Sequence, residues 1–262
     1  RHRRCQSEGL AASPKSDRGQ TLKDLQKVPE SLQEVQASYD KLYQGWMGEH
    51  RNTQQARRIL NLLGIQRGQR LADVGCGLGY LADMASAAGL TAFGVDVSWV
   101  AIRKAHEGYA HGPAFLLGDG ERLPWPDGSF DHAVNLGSLE HFVDPEAAVR
   151  EMRRILKPNG KAALLLPNSH HIRAIYYVYR YGEILPELQD FERFATRVEW
   201  EEMLRRNGLT VASVEKYDTG MARVHKEGNE IFWYLYNACF RLFGRWIPLN
   251  LAYSFIFICR PA

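Results

Sequence analysis

Residues 73–79 read DVGCGLG, set between a short apolar run and the segment LADMASAAG at 81–89. The order predicts a strand, a glycine-rich turn and a helix. Glycines at 75, 77 and 79 suit a tight turn that needs φ > 0 and lets a ligand approach the backbone. The helix that follows would point its free N–H groups at that ligand. A dinucleotide fingerprint would run G-x-G-x-x-G. Here the third glycine comes one residue early and Tyr80 stands in its place, which disfavours a nicotinamide-binding domain.

Working outward, LTAFGVDVS (90–98) reads as a second strand ending at Asp96, seventeen residues beyond Gly79. That is near the spacing at which an acidic residue meets a ribose hydroxyl pair. The stretch FLLGDGERLPWPDGSFDHAVNL (115–136) carries a third strand, Asp119, a Pro/Gly-rich loop and a fourth strand. LEHFVDPEAAVREMRRILKPNGKAALLLP (139–167) gives a helix, a turn at Pro158–Asn159–Gly160 and a fifth strand. Such alternation predicts a doubly wound, mostly parallel α/β sheet with right-handed crossovers. Ligands in these sheets sit at the carboxyl ends of the strands. Asp73, Gly75, Asp96, Asp119 and Asn135 are all expected at that edge.

This succession, with the LPWPDGSFD loop and the RRILKPNG turn, closely resembles the small-molecule class I S-adenosylmethionine methyltransferases with a G-x-G-x-G motif. The resemblance covers roughly residues 56–217 and a last strand near 252–260. It implies a Rossmann-like fold whose strand near the C-terminus runs antiparallel. It also implies S-adenosylmethionine as cofactor and S-adenosylhomocysteine as product. By the same resemblance, Gly75, Gly77 and Gly79 admit the methionine end, and Asp73 holds its ammonium directly or through water. Asp96 takes the ribose hydroxyls and Val97 packs on the adenine. Asp119 accepts from the adenine amine, with the Gly120 backbone against the ring. Asn135 and Leu136 offer backbone carbonyls to the ammonium.

Methyl transfer needs a base only where the acceptor loses a proton. His141, with Glu140 beside it, is the first candidate, because an imidazole titrates near neutrality. His170 and His171 are the second. No metal is expected: these two histidines have neither a nearby Cys nor an i, i+4 partner. The four cysteines, at 5, 76, 239 and 259, show no metal spacing either. The fourth-strand sequence NLGSLEH lacks the Pro-Pro motif of enzymes that methylate amino groups of bases, and net charge is only +3. Nucleic acid is therefore not an expected partner.

Residues 1–20 are polar and read as a disordered tail. The remainder, 21–262, reads as one methyltransferase domain. Residues 21–63 are expected to be helices, with Tyr39 and Tyr43 on one face, either packed on the core or lidding the site. Two segments exceed the minimal domain, 168–195 and 218–251, and both leave from the cofactor edge. Their aromatics, among them Tyr176, Tyr177, Trp233 and Tyr236, are candidate substrate walls. The helix at 231–247 could instead meet a membrane surface or a second copy of the chain; its apolar runs are too short to span a bilayer. The expected location is cytoplasmic, with peripheral membrane contact as the variant. The leading expectation is O-methylation of an apolar, aromatic, sugar or lipid-like small molecule. The alternatives are a membrane-associated quinone or lipid methyltransferase and a non-catalytic S-adenosylmethionine-binding protein.

Overall fold

The computed structural model describes residues 29–45, 53–109, 112–183, 192–217 and 246–262. The predicted tail, Trp233, Tyr236 and the 231–245 part of the aromatic helix lie outside these residues.

Two helices come first, α1 (Leu32–Gln44) and α2 (Thr53–Leu63). The core then alternates β1 (Arg70–Val74), α3 (Tyr80–Ala87), β2 (Thr91–Asp96), α4 (Trp99–Gly108) and β3 (Ala114–Leu117). It continues with β4 (Phe130–Leu136), α5 (Pro145–Ile155), β5 (Leu156–Pro167) and α6 (Ile172–Tyr181). The described chain closes with α7 (Arg197–Arg206), β6 (Leu209–Tyr217) and β7 (Ser254–Pro261). All seven strands form one sheet in the order β3-β2-β1-β4-β5-β7-β6. The first five pair in parallel, and β7 lies antiparallel between β5 and β6. This is the Rossmann-like sheet expected, with the winding reversed between β1 and β4.

Successive strand residues point to opposite faces, and both faces are covered. On one face Ala72, Leu164, Phe255 and Phe257 join Met152 of α5 and Leu204 of α7 in one core cluster. On the other, Leu71, Val134, Ala163, Ile256 and Ile258 pack with Ile59 and Leu63 of α2 and Ala82 of α3. That is why Ala162–Leu166 of β5 and Phe255–Cys259 of β7 read as continuous apolar runs rather than as alternating ones. Helix starts follow local chemistry. Asp144 caps α5, with Ala147 N–H donating to its carboxylate at 3.0 Å, and Pro145 stands at the first helical position. Thr196 and Glu199 close a capping box on α7.

The predicted turn at Pro158–Asn159–Gly160 is corrected. These residues belong to β5, and the register with β4 jumps between Phe130 and His132. The chain thus absorbs the proline and glycine as a bulge at the strand's start, where a missing ladder donor is tolerated. The Pro/Gly-rich loop after β3 is fixed by Arg154. Its guanidinium donates to the carbonyls of Leu123 and Trp125 and pairs with Glu151 and Asp127.

Candidate functional site

At the winding reversal, the carboxyl ends of β1, β2 and β4 open a cleft of about 640 Å³ including its open mouth. Its floor and walls are Gly75, Val95, Asp96, Val97, Gly118–Glu121, Leu136–Ser138 and His141–Val143. Leu32, Val35, Tyr39 and Tyr43 of α1 close it from above, so the tyrosine face of this helix does cover the site.

The glycine turn is shaped by packing as much as by access. Gly75, at φ 74°, lets Ser138 lie directly against the backbone: a Cβ there would stand 2.1 Å from its hydroxyl oxygen. Gly77 meets the Tyr43 hydroxyl in the same way, and Gly79 meets the Phe115 ring. Of the three, Gly75 alone lines the cleft. Gly120 is bare for a similar reason, since a Cβ would lie 2.5 Å from the Phe142 ring.

Asp96 ties the turn to β2. One carboxylate oxygen accepts from Gly77 N–H at 2.8 Å and the other from Ser98 N–H at 2.9 Å. Each oxygen keeps a lone pair for a further donor. Burial raises its pKa, and these backbone donors oppose the rise. The lid docks beside it. Asp40 of α1 accepts from the Ser98 hydroxyl at 2.6 Å and from Val100 N–H at 3.1 Å, and Lys104 donates to the Tyr43 carbonyl. Asp119, half-buried at the cleft, accepts from Glu121 N–H at 2.8 Å.

Asp73 does not line the cleft. It is buried beneath the turn, where Ala82 N–H of α3 donates to it, and burial with Asp96 nearby pushes it up to about 7. An aspartate whose folded pKa exceeds its unfolded value holds extra protons in the native state between the two. Stability then falls as pH rises through that interval. We therefore expect urea midpoints to decline from about pH 4 to pH 7, and Asp73→Asn to flatten that slope.

Asn135 is likewise inside rather than at the cleft. Its amide donates to the Val74 carbonyl and accepts from Leu139 N–H, each at 2.9 Å, with the side chain fully enclosed. It braces β1 against the turn that carries Glu140 and His141. Asn135→Leu should cost about 2–4 kcal/mol in urea unfolding, because both backbone partners lose their bond inside the core. Leu136, by contrast, is a wall of the cleft.

The short helical turn Leu139–His141 places His141 in the cleft wall, edge-on to Tyr39 at 5.8 Å between ring centres. Glu140 is buried behind it, and burial, with Glu192 adding repulsion, pushes its carboxyl up to about 8. The segment after residue 191 is strapped onto this turn. Arg193 N–H donates to the Glu140 carbonyl at 3.1 Å, and its guanidinium reaches the carbonyls of Phe142 and Val143.

The other sequence candidates fall elsewhere. His171 caps α6 by accepting from Ala174 N–H at 3.2 Å and packs on Tyr253. His170 is exposed and bonded to Ser169. Neither lines the cleft. On α6, Tyr177 is buried in the fold and Tyr176 is half-buried; they are not cleft walls either. Sequence reading missed Ser138, Phe142, Asp40 and Glu192. Ser138 and Phe142, which flank Leu139–His141, carried a hint; Asp40 and Glu192 carried none.

Residues 72–164 match the family model described as a methyltransferase domain. A demethylmenaquinone methyltransferase of Geobacillus stearothermophilus is 26% identical over 224 residues, covering 76% of this chain and 95% of that protein. The 27-O-demethylrifamycin SV methyltransferase of Amycolatopsis mediterranei is 33% identical over 122 residues, 44% of this chain and 45% of that one. Among solved structures, a chain of the complex between the Haloferax volcanii Trm112 methyltransferase activator and the putative methyltransferase superposes with a TM-score of 0.66. It is 22% identical and covers 87% of this chain and 97% of that one. Residues 72–164 thus carry a methyltransferase domain, set in the Rossmann-like fold that the solved structure shares. The magnesium protoporphyrin IX methyltransferase of Synechocystis, solved with bound S-adenosylhomocysteine, superposes with a TM-score of 0.55 at 16% identity, over 90% of this chain and 89% of that one.

Proposed function

We propose that the chain transfers the methyl group to a hydroxyl of a small, largely apolar or aromatic molecule that enters beside His141. The carrying observation is one lidded cleft with a cofactor floor at Asp96 and Asp119 and His141 in its other wall, Glu140 lying buried behind that histidine. The floor fits the cofactor. Asp96 has lone pairs left for ribose hydroxyls, Val97 and Phe142 give apolar faces for a purine, and Asp119 can accept from an exocyclic amine. Leu136 and Gly137 sit where backbone carbonyls can meet an ammonium. S-adenosylmethionine supplies an electrophilic methyl on a sulfonium that leaves as neutral S-adenosylhomocysteine.

The protein's part is to align acceptor and donor, which can lower a barrier by roughly 7–11 kcal/mol, and to manage the acceptor's proton. The Tyr39–Tyr43 lid and the apolar walls exclude water. The Glu140–His141 pair is the polar group at the acceptor side. Labelled S-adenosylmethionine incubated with a panel of phenols, hydroxyquinones and hydroxylated macrolactones should yield a methyl ether and S-adenosylhomocysteine. No turnover with any hydroxylated acceptor would refute the reading.

A second reading keeps the cleft and moves the methyl to a ring carbon of a quinone-type acceptor. It is favoured by the demethylmenaquinone methyltransferase likeness, which runs through 95% of that relative. Carbon methylation of an electron-rich ring also sheds a proton, so the same pair would serve it. NMR of the product separates a methoxy carbon from a ring methyl. Peripheral membrane contact belongs with this reading. Among the described residues no helix is long and apolar enough to cross a membrane.

A further inference from the structure

His141 Nε2 stands 3.8 Å from Glu140 Oε1. One ligand atom each of Glu140, His141 and Glu192 lies within 4.8 Å of the other two. Donors held at about 2.1 Å from one ion sit roughly 3–4 Å apart, so a small side-chain adjustment brings the three together. The Glu140 side chain is only 6% exposed, and its Oε2 is enclosed without a hydrogen-bond partner among the described residues. An enclosed carboxyl oxygen with no partner leaves room at that atom for a cation. The nearby guanidinium of Arg193 does not fill that place: its bonds go to the carbonyls of Glu140, Phe142 and Val143. Those bonds, with Arg193 N–H on the Glu140 carbonyl, instead lock Glu192 against the turn bearing the other two groups.

We propose that Glu140, His141 and Glu192 bind one divalent transition-metal cation at the wall of the cleft, with its remaining positions open to the acceptor. The proposal deepens the O-methylation reading and rests on it for the cation's use. One imidazole and two carboxylates make a mixed N/O set, suited to Mn²⁺, Fe²⁺ or Zn²⁺ rather than to a thiophilic ion. Three protein ligands are the count of catalytic sites that keep a place for substrate. A hydroxyl beside the cation loses its proton to water at the cleft mouth, and the O–H electron pair stays on oxygen. That oxygen bonds the methyl carbon as the carbon–sulfur bond breaks and its pair goes to sulfur. Arg193 is a positioning residue. The expectation of no metal weighed only the surroundings of His170 and His171 and the cysteine spacing; Glu192 lies 51 residues from His141 in the chain.

The test uses the full chain stripped with EDTA, titrated with Mn²⁺ by electron paramagnetic resonance and with Zn²⁺ by calorimetry. S-adenosylhomocysteine affinity is measured on the same samples. The wild type should take up one ion per chain. Glu192→Gln, a half-buried isosteric change, should weaken the ion by more than the roughly 10–100-fold that losing an outer-sphere partner costs. Cofactor-product affinity should be unchanged in that variant. Glu140→Gln should weaken the ion likewise. No stoichiometric uptake by the wild type, or equal uptake by both variants, overturns the site. Failure of the wild type to bind S-adenosylhomocysteine overturns the methyl-transfer reading instead, whatever the ion does.

Discussion

Asp96→Ala should weaken S-adenosylhomocysteine binding by about a hundredfold or more while the protein stays folded. Asp96 is 8% exposed and holds two backbone N–H groups, those of Gly77 and Ser98. Its free lone pairs face the cleft, where the cofactor ribose would donate two more hydrogen bonds. Bonds to a charged acceptor are each worth about 1.5–3 kcal/mol, so losing two amounts to at least about 3 kcal/mol, or a hundredfold. The turn should also slacken, because Gly77 N–H loses its partner. Asp96→Asn keeps one acceptor oxygen, and its affinity should fall between wild type and alanine. Calorimetry gives the affinities and circular dichroism checks the fold. An unchanged dissociation constant in Asp96→Ala would place the ribose elsewhere.

Gly75→Val should abolish binding and cost stability together. At φ 74°, a β-branched residue is strained before any contact is counted. Its Cβ would also stand 2.1 Å from the Ser138 hydroxyl oxygen and 2.7 Å from the Ser138 Cβ. Backbone strain of about 1–3 kcal/mol adds to overpacking of about 1–3 kcal/mol. The two causes can be separated. In a Gly75→Ala background, Ser138→Gly removes the clash and leaves the strain, so it should restore part of the loss. Urea unfolding and cofactor-product titration read both. Native stability with native binding in Gly75→Val would contradict the turn described here.

The fold was legible because its signals are local and repeat. The glycine turn, Asp96 at a strand end and the apolar run of β5 each follow from residues close in sequence. The proline and glycine at 158–160 misled, because a bulge at a strand's start tolerates the residues that elsewhere make a turn. Within the site, sequence could place Asp73, Asn135 and Gly79 at the right edge but not inside or outside the cleft. That depends on what packs on them: Ala82 N–H, the Val74 carbonyl and the Phe115 ring. His171 shows the same limit. A histidine after a strand reads as a base, yet here its imidazole caps the next helix. Glu192 was out of reach altogether, since it meets the Glu140–His141 turn across 51 residues of chain, beside the Arg193 strap.

The most direct test of the account is hydrogen exchange on the wild-type protein with and without S-adenosylhomocysteine. The account predicts slowed exchange confined to the glycine turn, residues 96–98, residues 118–121, the 136–142 turn and the lid helix Leu32–Gln44. Binding that leaves those segments unprotected, or no binding at all, would contradict the assignment of this cleft as the cofactor site.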